Sequence, residues 1–289
     1  MGFTGVKALV EAHGGELGDI YAYFRKVPAV VTVAGAWYDY SMCPGSPPPQ
    51  YYAAAPLTAQ TLTRSTDGGL RHGGNVSPLS KYVRSVSASC VTAGGAVQRL
   101  YLMDYLMFYP FFDMGTTDAQ TTTNVQTLTR YTDGDGVRMM AVLVAPHGLI
   151  GDTFTVTYTN QDGTAGRVTP LHTMTTTAAV NGTILTTSPA VAGTFGPFLA
   201  LQSGDTGVRS IEAVTCTAGT DVGLFTMVLV KPLAEFSLRG VDAPTEVDFF
   251  LEGAKVPQIV DDAYLNFIAC PNGSLSAAPL NGDLTFIWA

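Results

Sequence analysis

Asp152-Thr-Phe-Thr-Val-Thr-Tyr-Thr-Asn160 decides how this chain is read. Phe154, Val156 and Tyr158 alternate with Thr153, Thr155, Thr157 and Thr159, so one side is apolar and the other carries hydroxyls. That period of two belongs to a half-buried β-strand. Asn160-Gln-Asp-Gly163 supplies turn chemistry, and Arg167 to Thr177 returns, which predicts a hairpin. The same reading predicts a second hairpin, Val208–Thr217 with Val222–Lys231, joined through Ala218-Gly-Thr-Asp221. Further strands are expected at 28–39, 81–91, 97–108, 137–145, 246–251, 263–269 and 283–288. Tyr101 to Phe112 is apolar enough to pass for a buried helix, but its aromatics and Pro110 favour a buried strand.

About a dozen strands without alternating helices define the expected class. It is all-β, an antiparallel β-sandwich or jelly-roll-like fold, with a short helical N-terminal arm. The expected boundaries are an arm at 1–60 and a β-sandwich domain at 61–289. Within the arm, Thr4 caps a short helix bearing Val6, Leu9 and Val10. Gly14-Gly15 breaks it, and Leu17, Ile20, Tyr21 and Phe24 recur at helical spacing. Pieces this short need a surface to lie on. Pro47-Pro-Pro49 stiffens a loop flanked by Tyr38, Tyr40, Tyr51 and Tyr52.

Composition narrows the function. The 289 residues carry only 13% charged side chains, against roughly 25% in an average soluble domain. Thr (36) and Gly (31) take their place. A net charge of −8 argues against an electrostatic nucleic-acid binder. Sparse charge suits a surface covered by other subunits. No apolar run reaches the ~20 residues that span a bilayer as a helix, and Met1 to Lys7 does not read as a signal peptide. Cys43, Cys90, Cys216 and Cys270 are too widely spaced for a zinc or redox motif and read as buried thiols. His13, His72, His147 and His172 show no metal-ligand spacing. A Ser77–His72 nucleophile pair is weighed and set below a turn histidine. Asp261-Asp262 points to opposite faces in extended structure.

Leu62-Thr-Arg-Ser-Thr-Asp-Gly-Gly-Leu-Arg71 and Leu128-Thr-Arg-Tyr-Thr-Asp-Gly-Asp-Gly-Val-Arg138 echo one another, and Gly204-Asp-Thr-Gly-Val-Arg209 repeats part of the pattern. Each reads as an Asx-type turn whose arginine is expected to reach the turn's Asp. Calcium ligation at Asp133-Gly-Asp135 lacks the further acids an EF-hand needs.

Arg130-Tyr-Thr-Asp-Gly-Asp-Gly-Val, Tyr158-Thr-Asn-Gln-Asp-Gly-Thr-Ala-Gly-Arg and Phe195-Gly-Pro-Phe-Leu-Ala-Leu-Gln-Ser-Gly-Asp-Thr-Gly-Val-Arg-Ser-Ile resemble stretches of tailed-bacteriophage virion proteins. Val230-Lys-Pro-Leu-Ala, Asp261-Asp-Ala-Tyr-Leu, Gly282-Asp-Leu-Thr-Phe-Ile-Trp and His72-Gly-Gly-Asn-Val-Ser-Pro do so too, so the resemblance runs from about residue 37 to the C-terminus. It implies a structural component of the particle and transfers no active-site residues. The expected role is a capsid-associated decoration or minor capsid protein, with a tail or fibre protein binding a host receptor as the alternative. Neither enzymatic activity nor a cofactor nor a metal is expected. The expected partners are further copies of the chain, in a homo-oligomer, and other virion proteins, without nucleic acid or membrane. The expected location is the virion, assembled in the host cytoplasm. The expected assembly interface comprises Phe3, Val6, Leu9, Leu17, Ile20 and Phe24 of the arm, with Trp37, Tyr38, Tyr51 and Tyr52.

Overall fold

A computed structural model describes residues 5–13, 18–90, 97–188, 196–241, 243–252, 255–276 and 278–288. Among them are a helix α1 (Val6–His13) and ten strands of four residues or more. These are β1 (Asp19–Lys26), β2 (Lys81–Cys90), β3 (Val97–Asp113), β4 (Arg138–Ala145), β5 (Thr153–Asn160), β6 (Val208–Cys216), β7 (Leu224–Arg239), β8 (Thr245–Asp248), β9 (Leu265–Pro271) and β10 (Leu280–Trp288). All their pairings are antiparallel, and they form a β-sandwich of three sheets.

The middle sheet runs β9-β3-β7-β4. One face of it is shared. At one end, Leu100, Leu102, Phe236, Leu238 and Phe267 pack against Phe24, Val83, Val86, Leu284 and Phe286 of the second sheet, β8-β2-β10-β1. At the other end, Met107, Tyr109, Phe112, Phe225, Met227 and Leu229 pack against Phe154, Val156, Tyr158, Ile211 and Val214 of the third sheet, built on β5 and β6. The opposite face of the middle sheet, with Met103, Tyr105, Phe108, Val228 and Val230, is covered by Trp37, Met42, Tyr52, Leu62 and Ile184 from connecting segments. Burial on both faces explains why β3 and β7 read as continuous apolar runs and not as alternation.

Strands of 17 and 16 residues must bend to serve two partners. Three bulges provide the bends. The β3–β7 register shifts at Leu106, at Pro110-Phe111 and at Leu233. Each extra residue restores the apolar set to the inner face after the strand has turned. Phe111 takes a left-handed φ of 65° to do so. Pro110 and Pro232 lie beside these bulges, where a missing ladder donor is tolerated.

Three expectations are corrected. Residues over the predicted second helical piece, Leu17 to Phe24, contribute instead to strand β1, in which Ala22, Phe24 and Lys26 point inward while Tyr21, Tyr23 and Arg25 point outward. Leu17 itself lies outside the described residues. Pairing with β10 supplies the cover, and Phe24 sits opposite Gly282. A Cβ at Gly282 would stand 2.5 Å from the Phe24 ring and 2.1 Å from the Ser87 carbonyl oxygen. The predicted strand at 28–39 is reduced to Tyr38–Asp39, which pairs with β9. The second hairpin does not form, because β6 and β7 belong to different sheets. Its Ala218-Gly-Thr-Asp221 link is an arch across the sandwich. The Asp152 carboxylate accepts from the amides of Ala218 (3.1 Å) and Gly219 (2.8 Å), and the Asp221 carboxylate from those of Gly148 (2.6 Å) and Val222 (2.7 Å).

Among the described residues, an arginine and an aspartate form an ion pair deep in the interior. Arg130, in the second echo, donates to both carboxylate oxygens of Asp104 in β3 (2.8 and 2.9 Å) and to the carbonyls of Leu62 and Tyr105. Asp104 also accepts from the Tyr264 amide. Both side chains are almost fully buried. Removing one partner strands a buried charge, which typically costs about 3–5 kcal/mol. Arg130→Ala is therefore expected to remain folded but to unfold at markedly lower urea concentration. Arg130→Lys is expected to recover little of the loss, since an ammonium does not reproduce the two-pronged geometry.

Candidate functional site

The expected interface residues separate into two groups. Phe24, Tyr38 and Tyr52 lie inside the chain's own cores, Trp37 is buried with them, and Ile20 packs half-buried against the first core. Val6 and Tyr51 are exposed, at 76% and 56%, and Leu9 is half-buried. Phe3 and Leu17 lie outside the described residues.

The buried group is organised around Asp39. Its carboxylate accepts from the Ser41 amide (2.8 Å), the Tyr105 hydroxyl (2.7 Å) and the Tyr52 hydroxyl (2.5 Å). Burial raises its pKa above the ordinary value, and the hydroxyls of Tyr52, Tyr105 and Ser41 with the Ser41 amide offset part of that rise. Beside it, the buried Lys26 ammonium donates to the carbonyls of Cys43 (3.0 Å) and Pro47 (2.8 Å). Burial lowers its pKa to about 8. The Pro/Tyr segment is thus tied to β1 by a lysine that the alternation of β1 turns inward. Three of its four tyrosines are core, and Tyr51 alone projects.

The exposed group gathers at α1. Only Ala12 of its apolar side chains is fully buried. Val6 and Val10, the latter 64% exposed, form a stripe beside the Lys7–Glu11 ion pair at i,i+4 spacing (3.5 Å). Leu251, 78% exposed, stands opposite. Gly5, Val6, Leu9, Phe250 and Leu251 line an apolar groove of about 250 Å³. Leu251 was hidden in the strand expected at 246–251. That strand stops at Asp248, whose carboxylate accepts the amides of Phe250 (2.9 Å) and Leu251 (3.1 Å) and turns the chain outward.

The titratable groups weighed for chemistry are engaged internally. Asp261 accepts from the amides of Val76 and Ser77, while Asp262 accepts from the amide and hydroxyl of Ser65, so the adjacent carboxylates serve different turns. The Arg209 guanidinium reaches the carbonyls of Asp133 and Gln161 and not the turn's carboxylate, which corrects the expected Asp contact. His147 bonds Asp221 (3.1 Å) and the Ala178 carbonyl (3.1 Å), and both side chains are fully buried. Cys43, Cys90 and Cys216 are buried free thiols, and Cys270 is half-buried. Among the described residues no three His, Cys, Asp or Glu side chains converge as a metal site. None of the described helices is long and apolar enough to cross a membrane.

His72 is fully buried. Its Nε2 donates to the Ala263 carbonyl (2.8 Å) and its Nδ1 accepts from the Lys81 ammonium (3.2 Å), so neither ring nitrogen is available to Ser77. Lys81 also donates to the Gly74 carbonyl and lies over the Trp288 ring. This cluster closes residues 72–81 over the end of β10.

No family model matches the chain, and no curated protein matches it. Among solved structures, the crystal structure of the infectious bursal disease virus VP2 subviral particle aligns over 94% of this chain and 81% of that one, at 7% identity and a TM-score of 0.19. A likeness at that level carries no argument.

Burial lowers the His72 pKa to about 4. The unfolded chain takes up this proton near 6.5, whereas the folded chain refuses it until about 4. The stability contribution is therefore complete above pH 6.5 and lost as pH falls toward 4, with a total on the order of 3 kcal/mol. Asp104, raised to about 6 by burial, acts with the opposite sign below pH 6. The difference between wild type and His72→Gln isolates the histidine. Chemical denaturation from pH 7 to 4.5 is expected to show the steeper loss in the wild type.

Proposed function

We propose that the chain is a structural component of a tailed-phage virion, a capsid-associated decoration or minor capsid protein that assembles through protein–protein contacts, including contacts between copies of itself. The observation that carries this reading is the exposed apolar groove of α1 and Leu251 on a surface otherwise poor in charge. Burying a large aliphatic side chain contributes about 1.5–3 kcal/mol. A handful of such residues gives weak single contacts, which become strong when repeated by symmetry. The sequence resemblance to virion proteins supports the same reading. Tyr51, projecting from a loop fixed by Lys26, supports the second one, a tail or fibre protein contacting a host receptor.

The sandwich dictates how the assembly reading is tested. Deleting residues 1–27 would remove β1 and its eight-residue pairing with β10, so the clean variants are deletion of 1–13 and Val10→Asp with Leu251→Asp. Both are expected to keep the wild-type Tm within a few degrees. Both are expected to lower co-sedimentation with particles lacking the chain by at least tenfold. Undiminished co-sedimentation would overturn the proposal. Loss of host-cell binding in Tyr51→Ala, with particle binding intact, would favour the receptor reading.

A further inference from the structure

Between β2 and the Leu233 bulge of β7 lies a hollow of about 230 Å³. Tyr82 of β2, Tyr131 of the echo turn, Lys231-Pro232-Leu233 and Lys255 to Gln258 line it. No acidic side chain is among these lining residues, on a chain whose net charge is −8 and which has five lysines in all. Two of the five are here.

The hollow is built. The segment ending in Gln258 is fixed to β2 by the Gln258↔Tyr82 and Ile259↔Lys81 pairings and by the Val83 amide, which donates to the Pro257 carbonyl. Tyr131 is held at a left-handed φ of 50°, which places its ring under the Lys231 ammonium at 5.2 Å. Lys231 also donates to the Asp135 carbonyl. A Cβ on Gly136 would stand 2.4 Å from its Nζ, so the glycine makes room for the ammonium. An ammonium has three N–H groups, and this one spends a single N–H on that carbonyl. Lys255 is exposed and has no acidic partner among the described residues. Arg138 and Lys255 add like charge around Lys231. Asp135 and Asp133 face Lys231 from the echo turn and offset part of its charge; Asp135 also accepts from the Thr206 hydroxyl (2.6 Å) and Asp133 from the Asp135 amide (3.2 Å).

Two lysines lining one hollow that no carboxylate lines favour an anion inside it. The Tyr and Pro rings that floor the hollow have no use for a bare inorganic ion, but they suit the apolar face of a saccharide. The volume is below the ~300 Å³ at which pockets for drug-sized ligands begin, which fits a single ring. We propose that this hollow binds a carboxylate-bearing sugar ring of the hexuronic acid class, with the carboxylate between Lys231 and Lys255, the ring against Tyr82 and Pro257, and a ring hydroxyl at the Gln258 amide. Such a site goes beyond assembly and does not depend on the α1 groove.

The test uses the purified chain, with saturation-transfer NMR and calorimetry against D-glucuronate, methyl glucoside, sodium acetate and sodium sulfate at constant ionic strength. Glucuronate is expected to bind with a millimolar Kd, and the other three at least tenfold more weakly. Lys255→Glu and Gln258→Ala change exposed side chains. The first is expected to weaken glucuronate at least tenfold and the second severalfold, both with an unchanged circular dichroism spectrum. Equal binding of acetate or sulfate, equal binding of the neutral glucoside, no binding at all, or an unaffected Lys255→Glu variant would each overturn the proposal.

Discussion

The pairing of β3 with β7, from Leu224↔Asp113 at one end to Arg239↔Val97 at the other, is the constraint from which the rest of the molecule follows. Two strands this long twist too far for a single facing sheet to cover them. The chain answers with two facing sheets, one for each end, and with bulges that reset the inward face between them. Because the opposite face is also covered there, β3 from Leu102 to Phe112 and β7 from Phe225 to Val230 have almost no solvent side, whereas β7 beyond Ala234 alternates between buried and exposed. The two outer sheets are held in place by what they pack on, and the connecting segments must close over the back.

Burying a sheet on both faces creates a second problem, for the polar groups that cannot avoid the interior. Asp104 lies near the middle of β3, and Arg130 comes in from the echo turn to neutralise it while also bonding the Leu62 and Tyr105 carbonyls. Asp39 is met by two tyrosine hydroxyls from separate segments, and Lys26 by two carbonyls of the Pro/Tyr loop. Each group joins pieces far apart in sequence. Such networks contribute less net stability than an apolar replacement would, but they fix which loop closes over which face.

This division explains what the sequence made legible. Strands covered on one face announce themselves, as Asp152 to Asn160 does, because half of each alternation is polar. β1 was misread because Leu17, Ile20 and Phe24 fall at helical spacing, while the inward member that would have restored the period of two is Lys26, the residue type least expected in a core. The false hairpin at Ala218–Asp221 has a different cause. Its turn residues are correct for a reversal, but whether the chain returns within one sheet or arches to the facing one is decided by Asp152 and Asp221, which cap the arch through contacts that local pattern does not encode. Of the interface residues, Val6 and Leu9 were visible as an amphipathic stripe, whereas Leu251 was absorbed into a strand that Asp248 ends early. Trp37, Tyr38 and Tyr52 are aromatic for the sake of the core behind the middle sheet. Nothing in a Tyr/Pro cluster distinguishes such packing from a binding face.

The scarcity of charge in the composition carries over to the surface. Of 15 Lys and Arg and 23 Asp and Glu, seven lie buried among the described residues: Lys26, Lys81, Arg130, Asp39, Asp104, Asp152 and Asp221. Threonine hydroxyls line the outer faces of strands such as β5. A hydroxyl face is wetted well enough to stay in water, yet it surrenders that water at far lower cost than a carboxylate or ammonium does. Exposed aliphatic groups at α1 and Leu251 have the Lys7–Glu11 pair beside them, whose charged ends can stay in water at the rim when a partner approaches. The same reasoning makes Lys231 and Lys255 conspicuous, because a surface that economises on charge has placed both on one hollow that no acid lines.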